Sequence, residues 1–337
     1  MSADIPPTMK AWTYSRAGPH RQVLSLNTIP SLKPPTGDQV LVKVAYSGLN
    51  YGDLKSMKMI PSIFRAKNSV PAMDWSGTIL AVGPSAPPSL VVGMKVFGVL
   101  AMEAIFTGQG TLREYMCIST KKHMVAPVPD NCTMEEAGCI AIAATMAHLI
   151  CKHAGIKEDC GLRILVNGAS GGCGSGFIQA AVAMGAKEVI AICSAPNFEL
   201  VQSLGATRAI DYRDKKPLHG YLAKEFGDRK IDVVVDTMGA QDLYTNSPKY
   251  LKEDGVFVNI GDYTSGTLLT AFYWLLNLFW PRWLGGTPRK FVMFGPDFGP
   301  DTVQWVQRMV GGGKMKAVID RSVGFDQVLE VSTRREL

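Results

Sequence analysis

The run from Ile164 to Ala186, ILVNGASGGCGSGFIQAAVAMGA, constrains this chain most tightly. A short strand, with Leu165 and Val166 suited to a parallel sheet buried on both faces, enters a glycine turn and then a helix of small residues. Gly168, Gly171, Gly172 and Gly174 let the backbone reverse and come close to a ligand. The helix aims its leading N–H groups and the positive end of its dipole at whatever sits in the turn, and a pyrophosphate is the natural guest. Against the G-x-G-x-x-G fingerprint, residues 169 to 174 read A-S-G-G-C-G, with Ala169 in the first glycine place and Gly171 and Gly174 in the others. A strand before, a helix after and a second strand at Glu188 to Cys193 supply the context that a lone glycine motif lacks. Ser170, Gly171, Gly172, Cys173 and Gly174 are therefore expected to touch a dinucleotide; a glycine turn without a ligand is the alternative.

The position about twenty residues beyond the fingerprint selects the cofactor. An acidic residue there would bind the ribose 2′-OH and repel a 2′-phosphate; this chain has Ser194, so NADPH is expected over NADH. Ser194 and Asn197 would donate hydrogen bonds to the phosphate. Tyr212 or Arg213, after a short strand at Ala209 to Asp211, would close the pocket. The alternative is that Ser194 merely ends its strand, because no basic residue follows it directly.

At 337 residues, 47% hydrophobic and 19% charged, the chain has room for two domains with full cores. Its net charge of +6 is spread without long runs, so no nucleic-acid groove is expected. Seven cysteines with no C-x-x-C pair point to reduced thiols. The N-terminus, MSADIPPTMKAW, lacks the basic start and apolar run of a secretory signal, and a cytoplasmic location is expected.

Strands are expected at Met9 to Tyr14 and Gln39 to Tyr46, within a β-rich first third that shows no helical periodicity of any length. The first long helix should run from Met134 to His153, with Thr133 as its N-cap. Strands at Ile231 to Asp236 and Val256 to Ile260 end in the turns of Gly239 and Gly261. A strand at Arg289 to Phe294, a helix at Thr302 to Val310, a run from Met315 to Ile319 and a further helix from Phe325 follow. Residues 267 to 280, TLLTAFYWLLNLFW, are too few to span a bilayer. That stretch reads as a subunit interface or pocket cover, or as a contact with a long apolar substrate or a membrane surface through 267–284.

Met9-Lys-Ala, Gly48-Leu-Asn50 with Asp53, Asp74-x-x-Gly77 with Val82-Gly83, Gly93-x-x-Val96, Gly110 to Tyr115 and Gly168 to Gly174 follow one another in a distinctive order. In this the chain resembles the medium-chain dehydrogenase/reductase superfamily, and within it the zinc-free quinone oxidoreductase and zeta-crystallin-like branch, over roughly residues 9 to 330. The resemblance implies an α/β protein with a GroES-like β-rich domain, residues 1–126 and 287–337, and a Rossmann domain with a doubly wound parallel sheet, residues 127–286. It also implies a homodimer, and places Gly239 and Gly261 near the nicotinamide and its ribose. Thr145 matches a threonine near the nicotinamide; a core threonine bonded to its own helix is the other reading. Members of the family usually carry a further glycine-lysine strand that closes the β domain, and this sequence reaches Arg334 to Leu337 without it.

Zinc-using relatives place a cysteine where this chain has Asn50-Tyr51 and a His-Glu pair where it has Asp74-Trp75, so no metal is expected; His148 and Cys151 offer only two ligands. Without a Lewis acid, hydrogen-bond donors must hold the charge that develops on a substrate oxygen when a quinone or conjugated alkene accepts hydride. Asn50 and Tyr51 are the candidate catalytic donors, with Asp53 bracing their loop; a pocket wall without a proton role is the other reading of Tyr51. No tyrosine lies between Leu54 and Pro71, where mitochondrial-type enoyl-thioester reductases carry their proposed proton donor. The expected function is an NADPH-dependent, zinc-independent reductase of quinones or α,β-unsaturated carbonyls, with a lipophilic or polyketide-like chain as one substrate type. The competing reading is a non-catalytic NADPH-binding structural or interaction protein on the same fold.

Overall fold

The computed structural model describes residues 5–261, 267–295 and 297–331. The chain forms two compact units, one from residues 1–145 with 298–337 and the other from 146–297. These divisions lie later than the expected ones after 126 and 286. The first shift arises because the leading half of the helix Met134–Ala154 is tied to the β-rich unit. Asp74 accepts the Ile142 N–H at 2.8 Å, and the Ser76 hydroxyl donates to the Met134 carbonyl at 2.5 Å. Gly48 lies so close to the same helix that a Cβ there would stand 2.6 Å from the Gly138 carbonyl oxygen. The second shift arises because a strand at Lys290–Val292 pairs within the other unit.

In the first unit, β1 (Thr8–Thr13) and β2 (Ser25–Pro30) form an antiparallel pair. β3 (Gln39–Gly48), β4 (Asp74–Val82), β5 (Lys95–Val99), β6 (Tyr115–Ser119) and β7 (Met124–Pro127) form an antiparallel sheet in the order β6-β3-β4-β5-β7. Its core includes Leu41, Trp75, Ile79, Phe97 and Met116, all fully buried, each contributing about 1.5–3 kcal/mol by leaving water. Three helices interrupt this β-rich third, Tyr51–Met59, Glu103–Thr107 and the four-residue His20–Val23, contrary to expectation. Only Asp53 and Met57 of the first are buried, one turn apart, which is too narrow a face to register as periodicity. The helix starts instead from a local cap: Asn50 is extended at φ −109° and ψ 155°, and its N–H donates to the Asp53 carboxylate at 2.8 Å.

Farther along, the run Met315 to Ile319 is not a strand, and Phe325–Glu330 is a 3-10 turn rather than a longer helix. Val328 packs there among Trp12, Tyr14, Met57 and Leu112, and the Trp12 indole donates to the Phe325 carbonyl at 2.7 Å.

The second unit holds β8 (Arg163–Asn167), β9 (Glu188–Cys193), β10 (Arg208–Asp211), β11 (Ile231–Asp236), β12 (Leu251–Asn259) and β13 (Lys290–Val292) in one parallel sheet. Their order, β10-β9-β8-β11-β12-β13, is that of a doubly wound Rossmann sheet. Continuous apolar runs such as IDVVVD suit strands covered on both faces, and Val233, Val234 and Val235 are buried. The chain changes direction across the sheet between β8 and β11. Gly168 sits at that point with φ +75°, and a Cβ there would stand 2.2 Å from the Thr237 hydroxyl oxygen. Gly168→Ala should therefore cost roughly 1–3 kcal/mol in backbone strain before the clash is counted, read as a lower denaturant midpoint with an unchanged m-value.

Candidate functional site

In the Rossmann unit the glycine turn joins β8 to the helix Gly172–Ala183. A Cβ at Gly174 would stand 2.4 Å from the Gly168 carbonyl oxygen and 2.8 Å from Ala169 Cα, so the helix can begin flush against the turn only with glycine there. Gly171 and Gly172 are exposed, Ser170 and Cys173 are half-buried, and Ala169 and Gly174 are buried. A side-chain-free rim thus faces outward at the end of a helix whose leading N–H groups have no acceptor within the helix. The residues present fit a dinucleotide pyrophosphate.

The neighbouring strand ends are latched together. Asn167 donates its side-chain amide to the buried Asp236 at 2.9 Å, and the Thr237 hydroxyl donates to the Asn167 carbonyl at 2.9 Å. Asp236 also accepts the N–H groups of Met238 and Ala240, at 2.9 and 2.7 Å, which shapes the turn at Gly239. Burial raises the Asp236 pKa against the pull of these donors. The Asn259 side chain accepts the Gly261 N–H at 2.9 Å. Gly239 and Gly261 therefore lie with the glycine turn at the carboxyl ends of adjacent strands, where ligands bind in open α/β sheets.

At the β9–β10 corner the Asn197 amide donates to the Ser194 hydroxyl at 3.0 Å. Asn197 thus orients Ser194 as well as standing beside it. Asp211, a residue not singled out from sequence, accepts the Ala195 N–H at 2.7 Å and the Arg213 N–H at 2.8 Å. The Arg213 N–H, then the Ala195 N–H and the Arg213 charge, hold its carboxyl below the usual range. This carboxylate is occupied by backbone donors, while Tyr212 and Arg213 stand exposed beside it with the guanidinium 5.8 Å from the ring. The structure brings Ser194, Asn197 and Tyr212 to one corner.

In the β-rich unit Asn50 lies between two buried carboxyls. Its backbone N–H meets Asp53, and its side-chain amide donates to Asp74 at 3.1 Å. One amide proton of Asn50 is thus engaged inside the protein. Burial pushes the Asp74 carboxyl up to about 8 and Asp53 up to about 7, against the donors that favour ionisation. The Asp74 carbonyl accepts the Thr111 hydroxyl at 3.1 Å, and Thr111 meets Ser47 at 2.5 Å. Tyr51 opens the following helix and is 38% exposed. Thr145 is fully buried with its hydroxyl 3.7 Å from the Met124 sulfur, on a turn of its helix that belongs to the β-rich unit.

At the places where zinc-using relatives carry ligands, Asn50 and Asp74 are hydrogen-bonded to each other. Among the described residues no three His, Cys, Asp or Glu side chains gather as a metal-ligand set. The donors present do not fit a catalytic zinc.

Residues 36–130 match the alcohol dehydrogenase GroES-like domain, and residues 172–277 match the zinc-binding dehydrogenase domain. The chain is 36% identical to the trans-enoyl reductase pgmF of Aspergillus terreus, over 96% of this chain and 91% of the relative. It is 30% identical to the medium chain reductase pydE of an Acremonium species, over 97% and 95%. The chain belongs to the medium-chain dehydrogenase/reductase superfamily. Its fold superposes on the quinone oxidoreductase of Coxiella burnetii with a TM-score of 0.75 at 22% identity, covering 96% of this chain and 94% of the other. It is an oxidoreductase, of a family whose reductases bind a nicotinamide cofactor.

Asp211, Asp236 and Asn167 are the site residues that the sequence did not single out. Each stands at the last position of an apolar strand, as in IDVVVD and RAID, and a polar group that ends a buried strand was the available signal, whereas Asp74 begins β4. Asp74 and Asp53 have a shared consequence for stability. Their folded pKa values lie above the unfolded value near 4, so the native state keeps protons that the unfolded chain gives up. Their stabilisation is complete below pH 4 and is lost as pH rises through 7 to 8. Asp38, Glu136, Asp211 and Glu225 are shifted downward and act at lower pH, while His123, also shifted downward, acts below about 6.5. The melting temperature should thus fall between pH 6.5 and 8, and less steeply in Asp74→Asn.

Proposed function

We propose that this protein is an NADPH-dependent, metal-independent reductase of conjugated acceptors, either an α,β-unsaturated carbonyl of the enoyl or enone class or a quinone. The observation that carries the reading is the side-chain-free turn of Gly171 and Gly172, flush on a helix N-terminus at the switch point of a parallel sheet. NADPH supplies the hydride when bound. Gly171, Gly172, Cys173 and Gly174 hold its pyrophosphate. Ser194 takes the 2′-phosphate with Asn197, Tyr212 and Arg213, and the absence of an acid in the Ser194 place removes the repulsion that would select NADH.

For an enoyl substrate, hydride adds to the β carbon, negative charge moves onto the carbonyl oxygen, and a proton from solvent reaches the α carbon. A neutral donor suffices for that oxygen because the substrate is already electrophilic. Asn50 is suited to this because Asp74 and Asp53 fix both its side chain and its backbone. Tyr51 adds a phenol at the exposed start of the same helix. The trans-enoyl reductase name of a relative that matches over nearly the whole chain supports the enoyl class.

Reduced-nicotinamide absorbance should fall when NADPH is mixed with the protein and a panel of enoyl thioesters, enones and quinones. NADPH binding without turnover across the panel would overturn the catalytic reading in favour of a binding protein. Ser194→Asp should reverse the preference towards NADH, and equal use of both cofactors by the wild type would refute the pocket assignment. Asn50→Ala should lower kcat on the order of 10²-fold, the usual effect of losing one preorganised donor.

A further inference from the structure

The helix Thr267–Phe279 of the Rossmann unit is amphipathic in the reverse sense. Its polar side faces the protein: Thr270 is buried, and Asn277 and Gln241 exchange a reciprocal pair of amide hydrogen bonds at 2.8 and 2.9 Å. Its apolar side faces outward. Leu269, Phe272, Leu275 and Phe279, spaced three or four residues apart, form one exposed stripe, and Phe279 is 73% exposed. Trp280 and Trp283 extend it, the latter 82% exposed. Together with Leu278 and Leu284 these residues make a run of exposed apolar side chains of the kind that marks an interaction site.

Charge indicates what covers it. From Tyr263 to Pro296 the sequence holds no Asp or Glu, and of its three cations Arg282 and Lys290 are exposed while Arg289 is buried against backbone carbonyls. Arg282 lies between Trp280 and Trp283, and Lys290 is exposed on the edge strand β13 that the helix touches. A second copy of the same face would set these cations against their own equivalents with no acid in either stretch to offset them. An anionic lipid surface complements both properties: acyl chains take the leucines and phenylalanines, headgroups take Arg282 and Lys290, and tryptophans sit at the boundary. We infer that this helix and the turn after it dock the protein on the surface of a bilayer containing anionic lipid, lying in the interface without crossing it. Apolar contact from one short helix binds membranes marginally, and the cations provide the second signal that stable attachment needs.

The test is flotation of the full chain with phosphatidylcholine vesicles, with and without phosphatidylserine, alongside tryptophan emission. The wild type should float with the anionic vesicles, float less as salt is raised, and show a blue shift in emission. The exposed double variant Phe279→Glu, Trp283→Glu should float roughly tenfold less while melting like the wild type. Arg282→Gln should weaken only the salt-sensitive part. No flotation of the wild type with anionic vesicles, or equal flotation of the double variant, overturns the inference. So does a wild-type dimer that stays in solution and that the double variant splits, which assigns the patch to a second copy.

Discussion

The Gly168 carbonyl occupies the space that a side chain at Gly174 would need, with 2.4 Å between that oxygen and an ideal Cβ. This contact fixes how the first helix of the Rossmann unit meets the end of β8, and most of the unit is arranged around it. With the helix flush on the turn, its leading N–H groups converge on a rim where Gly171 and Gly172 carry no side chain. The rim is stiff because the adjacent strand end is tied to it, Asn167 to Asp236 and Thr237 back to Asn167. A buried carboxyl is costly unless hydrogen-bonded, and Asp236 meets that condition with one side-chain and two backbone donors while shaping the next turn.

The β-rich unit uses buried carboxyls in a similar way for a different purpose. Asp74 joins β4 to the helix Met134–Ala154 through the Ile142 N–H, and through the Asn50 amide to the loop where Tyr51 begins its helix. Asp53 completes the hold from the other side of Asn50. The Asn50 amide and the Asp74 carboxyl are thereby bonded to each other.

Much of this was legible in the sequence, because parallel strands and dinucleotide turns have strong local signatures. Glu188–Cys193 and Ile231–Asp236 occupy the expected residues, and glycine stands where the backbone has no room for a side chain. What stayed hidden depends on partners distant in the chain. Asp74 looks like any strand-leading acid until Asn50 and Ile142 are seen beside it, and the contact of the Thr145 hydroxyl with Met124 joins residues twenty-one apart in the chain. The helix Tyr51–Met59 buries only two residues, so its cap and not its period creates it. The outward face of Thr267–Phe279 was unreadable for a related reason: with no charged residue to mark the wet side, only the Asn277–Gln241 pair shows which way the helix is turned.

The central claim is that a phosphate-bearing redox carrier rests on the amides that begin the helix Gly172–Ala183. The most direct measurement is a crystal structure of the protein grown with NADPH. Pyrophosphate oxygens should lie within hydrogen-bond distance of the Gly172 and Cys173 N–H groups, with the 2′-phosphate beside Ser194. A dinucleotide bound away from that turn, or a turn left empty at saturating NADPH, would contradict it.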